Sequence, residues 1–532
     1  MSESYKKQSF LHGTMLLALS TAIVKVIGAF YSIPLKAIIG DQGFGYYNTA
    51  YEIYTLLLLI STAGLPVAMS RMISQASSLG HYRQVRKIYT VSRTIFLTLG
   101  LIGALLMTLF CKQLAAFQEQ PDAWAAIGIL GPCCFLICLM STYRGFFQGQ
   151  SNMKPTSTSQ VLEAIVKLAV GLSAAVLVLY YTKSLSLAAG GAIFGVTMSC
   201  LVSSFYLNHC FRKAYKDIPA TSEEVSSGKD IAKGLLAIAI PITIGSAGLQ
   251  ILTVLETKIY MSQLLQTMTQ TQADVQKGIY NFTQKIFNMP CAFITPITIS
   301  IIPAITSQLT LKDHAAAKAT EESAARVTAL MSAPCAVGLA VLAEPVTALL
   351  GGYSGEKLAL ATSLMMVLGI CIVFNATVLL TNAIMQAHGH VNLPVINMFI
   401  GGIVKLVAVF ILTGNPQIGI LGTPIGSLLC YICITVLNLI TMRRVLPQTP
   451  GIVRNMLRSV AAAAVMGIAT YGTWYGLTAL LGAGISRIIA CGVPIAIGVL
   501  VYVFAAVKFK AITRDDCLLL PKGEKIANLL HL

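Results

Sequence analysis

Residues 13–75 read GTMLLALSTAIVKVIGAFYSIPLKAIIGDQGFGYYNTAYEIYTLLLLISTAGLPVAMSRMISQ, two apolar segments joined by the glycine-rich turn 40–45. From Leu11 to Ile39 nearly every residue is apolar. At 1.5 Å rise each, about 20 such residues cross the hydrocarbon of a bilayer, so the segment is long enough for a tilted crossing. Lys25 interrupts it near the middle. An ammonium at that depth costs about 2.5–3.5 kcal/mol on insertion scales, which turns it toward a bundle interior or a water-filled cavity and away from lipid. Pro34, about two turns further on, removes a backbone donor, and such breaks persist where a neighbouring helix or water meets the freed carbonyl. The first span is therefore expected to wall a cavity, with Pro34 as a hinge candidate.

The rest of the chain has the same character. Of 532 residues, 56% are hydrophobic and 11% charged, and the mean hydropathy is +0.76. That composition excludes a soluble enzyme and indicates an all-α polytopic membrane protein. Apolar runs separated by charged or Gly/Pro-rich breaks give about 14 transmembrane helices, starting near residues 11, 47, 91, 123, 158, 186, 231, 278, 324, 358, 393, 418, 455 and 486. The first run is too long for the core of a cleaved signal and is expected to stay as an anchor. Most of the 13 cysteines fall inside apolar runs and read as small hydrophobes; no metal and no cofactor is expected. Lys and Arg concentrate in alternate loops, which places both termini in the cytoplasm. That asymmetry accounts for the net charge of +17 without a nucleic-acid partner.

An internal repeat is visible. Gly45-Tyr46-Tyr47-Asn48 recurs as Gly278-Ile279-Tyr280-Asn281, and Ser74-Gln75 as Ser307-Gln308, at one constant offset. Later, Ile165-Val166-Lys167-Leu168 recurs as Ile403-Val404-Lys405-Leu406. Six spans per copy is an even number, so the copies enter from one side and form two parallel six-helix repeats with substrate between them. The expected divisions are an N-lobe over 1–215, a cytoplasmic linker over 216–230, a C-lobe over 231–445, extra spans 13 and 14 over 446–510, and a cytoplasmic tail over 511–532. No loop is long enough to fold a catalytic domain, so the chain is not expected to be an enzyme.

Five lysines fall at membrane depth: Lys25, Lys167, Lys258, Lys285 and Lys405. Lys25 is the strongest candidate to line a cavity. Lys285 lies early in the eighth span, and Pro290, Pro296 and Pro303 follow it, implying a kinked wall or a hinge. Glu163 and Lys167 stand four apart, in the order that favours an ion pair along one helix face, and a substrate contact is the alternative. Lys405 has Gly401 where Lys167 has Glu163, which leaves it better disposed toward an anion. Glu256 and Lys258 are two apart and face different surroundings; Glu256 and Glu52 are coupling-ion candidates, with Glu52 near the outer interface and readily solvated. The turn 40–45 lacks the Gly-Lys-Ser/Thr ending of a phosphate loop, and His388 and His390 read as solvated turn residues.

The runs 28–35, 40–43 and 63–71, with Tyr143-Arg144-Gly145-Phe146-Phe147-Gln148-Gly149-Gln150 and Asn152-Met153-Lys154-Pro155-Thr156, resemble the stage V sporulation protein B group of the multidrug/oligosaccharidyl-lipid/polysaccharide (MOP) exporter superfamily. The resemblance covers nearly the whole chain. It implies fourteen spans in two six-helix lobes of a multi-pass protein of the bacterial cytoplasmic membrane. It also implies export of an undecaprenyl-diphosphate-linked oligosaccharide by alternating access, for cell-wall, spore-cortex or polysaccharide synthesis. A basic central cavity would meet the diphosphate; Lys25 matches one such basic position, while others appear here as Tyr31 and apolar residues. The implied partners are the lipid-linked sugar diphosphate, membrane lipids and a coupling cation or proton, with the oligomeric state open. The runner-up is a cation-coupled multidrug exporter of the same superfamily, which would favour intramembrane acids over lysines. A membrane glycosyltransferase would need a catalytic acid or base in a structured aqueous loop, and a scaffold would leave the buried lysines without a role.

Overall fold

A computed structural model describes residues 10–219, 224–481 and 486–511. The helices in chain order are α1 (Phe10–Thr62), α2 (Leu65–Ser78), α3 (Tyr82–Leu109), α4 (Cys111–Phe117), α5 (Trp124–Gly149), α6 (Lys154–Thr182), α7 (Leu185–Lys216), α8 (Gly228–Leu264), α9 (Gln270–Thr310), α10 (His314–Val341), α11 (Ala343–Gly351), α12 (Gly355–Ala387), α13 (Asn392–Thr413), α14 (Gly422–Val445), α15 (Ile452–Leu481) and α16 (Arg487–Lys508). No strand occurs among the described residues.

Helix α1 is not a single rod. Gly40 breaks it with φ 66° and ψ −176°, a left-handed φ that glycine adopts at no steric cost. The Tyr31 and Tyr47 ring centroids are 6.1 Å apart. Sixteen residues of straight helix would separate them by about 24 Å, so the chain doubles back at Gly40. The turn expected over 40–45 shrinks to that residue, with helix resuming at Asp41, and Pro34 is accommodated inside the first arm. Among the described residues twelve stretches are long and apolar enough to cross a membrane. The first arm of α1 and the 41-residue α9 add two, giving the all-α membrane architecture of about 14 spans read from the sequence.

By contact the chain separates into two compact units, 1–281 and 282–532. In the first, α6 and α7 cross with their backbones touching: a Cβ on Gly195 would strike the main chain of Gly171. Small residues are what allow such approach, because lipid supplies no hydrophobic force between helices and packing must supply the attraction. Helix α8 meets α1, α2 and α3 in this unit, and a Cβ on Gly64 would collide with the backbone of Ala239. In the second unit, Ile301, Ala325, Leu380, Ile384, Met442 and Met456 form a core joining α9, α10, α12, α14 and α15. Helices α15 and α16 close on α10 through Ala333, Ala462, Ala463, Met466, Tyr502 and Ala505.

Candidate functional site

In the second arm of α1, tyrosines at 47, 51 and 54 recur at helical spacing and so share one face. Ring centroids are 5.0 Å apart for Tyr47 and Tyr51 and 6.0 Å for Tyr51 and Tyr54, and Tyr31 of the first arm joins the row. The Tyr31 hydroxyl donates to the Ala192 carbonyl of α7 at 3.4 Å. Over this row stands Lys167 of α6, its Nζ 5.1 Å from the Tyr31 centroid and 4.8 Å from that of Tyr51. Both distances lie within the range of attraction between a cation and an aromatic face.

Four residues before Lys167, Glu163 finds a partner on another helix. Its Oε2 is 3.0 Å from Arg144 Nη2 of α5, and Arg144 Nε donates to Ser159 Oγ at 3.1 Å. Glu163 thus takes part in an ion pair between helices, which Arg144 makes with a planar fork of donors. On the same face of α6, Ser20 Oγ donates to Gln160 Oε1 at 3.2 Å.

A second polar assembly lies near Gly40, where the repeated motif meets its own copy. A Cβ built on Gly45 would lie 3.2 Å from the Asp274 carbonyl oxygen, and one built on Gly278 would run into the Asp41 carbonyl. Asp41 and Asp274 are separated by the same offset as Gly45 and Gly278, so the contact is isologous, as at a two-fold dimer interface. Beneath it Lys277 is fully buried, its Nζ 2.5 Å from Thr49 Oγ1 and 3.8 Å from Glu52 Oε2. Gln120 Nε2 and Gln270 Nε2 donate to Asp274 Oδ1 at 2.8 and 3.0 Å. The Tyr46 hydroxyl stands 3.0 Å from Asp274 Oδ2 and 3.2 Å from Asp122 Oδ2, and accepts from Gln42 Nε2 at 2.7 Å. Thr49 also bonds the Gln120 side chain.

Glu52, expected to be readily solvated, is instead 17% exposed and tied to that lysine. Sequence reasoning missed Lys277 and Asp274 because both precede the start expected near 278 for the eighth span. The available signal was that Lys277 directly precedes the repeated Gly-Ile-Tyr-Asn motif, whose glycine implied close approach of another backbone. Glu256 is buried on α8, and Lys258 turns elsewhere, its Nζ 4.1 Å from the Phe117 ring centroid.

In the second unit Lys285 lies in α9 and Lys405 in α13, both half-buried, as is Pro290. Asn438 is fully buried; its Nδ2 donates to Thr381 Oγ1 and Asn382 Oδ1, both at 2.8 Å, and its Oδ1 accepts from Asn397 Nδ2 at 2.8 Å. His388 is not a solvated turn residue: its Nε2 lies 2.7 Å from Oε1 of the buried Glu321, and the end of α12 packs that ring against α10. The side chains of Lys25 and Pro296 lie outside the described residues. No group of three His, Cys, Asp or Glu side chains suited to a metal occurs among the described residues.

The first unit thus holds a buried lysine, a lysine set over tyrosine rings and an ion pair between helices. Residues 10–309 match the family described as polysaccharide biosynthesis protein. The chain belongs to that family. The family match and the relatives together support the polysaccharide exporter and flippase group of the MOP superfamily, and the apolar helices a multi-pass membrane protein. The family member is 26% identical to stage V sporulation protein B of Bacillus subtilis (strain 168), over 97% of this chain and 98% of that one. It is 24% identical to lipid II flippase MurJ of the same organism, over 86% and 87%. Among solved structures it resembles lipid II flippase MurJ in an inward closed conformation, with a TM-score of 0.68 at 14% identity over 93% of this chain and 98% of that one. It also resembles an inward-facing multidrug resistance MATE family transporter, with a TM-score of 0.63 at 16% identity over 80% and 97%.

Proposed function

We propose that this protein is a flippase carrying an undecaprenyl-diphosphate-linked oligosaccharide from the inner to the outer leaflet of a bacterial cytoplasmic membrane by alternating access. Both termini are then cytoplasmic, and the Gly40 turn faces outward. The observation that carries this reading is the Lys167 ammonium held among tyrosine rings inside an apolar helical unit of a polysaccharide biosynthesis family member. A diphosphate carries two negative charges, and hydrogen bonds to it from an ammonium are charge-assisted and short. Lys25, Lys285 and Lys405 are the further cations of the pathway, Glu163 orients Arg144, and Pro34, Pro290 and Pro296 lie where α1 and α9 can flex. Glu52 and Glu256 are the groups to hold a coupling cation or proton. The likeness to sporulation and lipid II relatives supports a cell-wall or spore-cortex glycan as cargo.

A second reading, a cation-coupled multidrug exporter, is favoured by the MATE likeness and by the burial of Glu256. Proteoliposomes loaded with a fluorescent undecaprenyl-diphosphate sugar, or with a cationic dye, separate the two. The expected result is translocation of the lipid-linked sugar, abolished by Lys25→Ala with normal insertion and largely kept by Lys25→Arg. Dye efflux without sugar translocation would establish the exporter reading, and full activity of Lys25→Ala would remove Lys25 from the pathway.

A further inference from the structure

A lysine is a compact charge on a flexible four-carbon stem, so an ammonium held at one point needs something to hold it. At Lys167 that something is a pair of rings brought from opposite arms of α1: Tyr31 before the reversal at Gly40 and Tyr51 after it. Tyr31 is in turn fixed by its hydroxyl on the Ala192 carbonyl of α7, and by the closeness of Gly171, where a Cβ would press on that hydroxyl. Tyr51 is braced by the tilted ring of Tyr47 and the edge of Tyr54. Three spans therefore converge on one side-chain nitrogen, and the aromatic faces attract the cation.

We infer that Tyr31 and Tyr51 are positioning residues that hold the Lys167 ammonium pre-placed for one oxygen of an anionic phosphate headgroup. This rests on the flippase reading above. The rings do not touch the headgroup; they act through Lys167, and what matters in them is the π face and not the hydroxyl of Tyr51.

The test uses the full chain in nanodiscs with undecaprenyl diphosphate as the probe, and reads both binding and the NMR signal of 13Cε-labelled lysine, with Lys167→Arg assigning the peak. Lying over two ring faces, the Lys167 signal is expected upfield of the other lysines, and to lose that displacement in Tyr51→Leu but keep most of it in Tyr51→Phe. Losing one charge-assisted contact in Lys167→Gln is expected to weaken probe binding about tenfold, with Tyr51→Leu close to that value and Tyr51→Phe within about twofold of the parent. In the double variant the two losses are expected not to add, since both remove one contact. An unshifted Lys167 signal, additive losses, or a Tyr51→Phe loss as large as that of Tyr51→Leu overturns the inference. A displaced signal in a parent protein that does not bind the probe leaves the ring clamp standing and overturns both the flippase reading and the headgroup role built on it.

Discussion

Lys167 and Lys405 occupy the same place in two copies of one motif, yet their neighbourhoods differ at the residue four positions earlier. In the first unit that residue is Glu163, which reaches across to Arg144 at 3.0 Å. In the second it is Gly401, where a Cβ would collide with the Ile434 side chain of α14. One copy thus keeps a polar side chain that links α6 to α5, and the other removes every side-chain atom so that α13 can lie close on α14. Polarity in the second unit has moved to the Asn397, Asn438, Thr381 and Asn382 cluster, which is neutral and internally satisfied. The difference teaches that a shared lysine does not mean a shared site, because its neighbours decide which partners are within reach.

The largest effect that would break this comparison comes from copying the acid across. Gly401→Glu places a side chain into Ile434 and a carboxylate into an apolar helix contact, and is expected to cost about 4 kcal/mol or more, enough that the purified protein loses its monodisperse peak on gel filtration. A normally folded, equally stable variant would show that close packing of α13 and α14 is not what the glycine serves. Next comes Asn438→Ala, which removes three buried hydrogen bonds; a loss of about 2–3 kcal/mol is expected in detergent-induced unfolding. The smallest effect is expected from Arg144→Ala. Its pair with Glu163 is 17% and 26% exposed, so solvent screens it and the cost should be about 1 kcal/mol, partly recovered when Glu163→Ala is added. A larger loss with no recovery would assign Arg144 to a role outside the pair.

Much of the architecture was legible because a bilayer imposes a length and an apolar composition that a single sequence displays openly. The repeat was legible through Gly45 and Gly278, because closely packed backbones tolerate few residues. The partners of charged groups were not. Nothing local pointed Glu163 at Arg144, nineteen residues earlier on another helix, because no local pattern encodes a crossing of two helices. Lys277 was hidden for the same reason: it directly precedes the start expected near 278 for the eighth span, where a sequence reading gives it to water, and only the fold covers it with Thr49 and Glu52. His388 and Glu321 lie 67 positions apart and meet only because α10 and α12 pack together.

The isologous contact at Gly45 and Gly278 also sets a timetable for biogenesis. Its two sides are 233 residues apart, so the Gly40 turn emerges from the ribosome long before its partner exists. Closing a loop of that size adds only a modest entropic cost, since the penalty grows with the logarithm of length; the delay is one of synthesis and insertion. Until α9 arrives, Thr49, Tyr46 and Gln120 have no Lys277 or Asp274 to bond. A chain arrested after α7 should therefore remain unusually sensitive to membrane proteases around residues 40–50, and become resistant once residue 281 has been inserted.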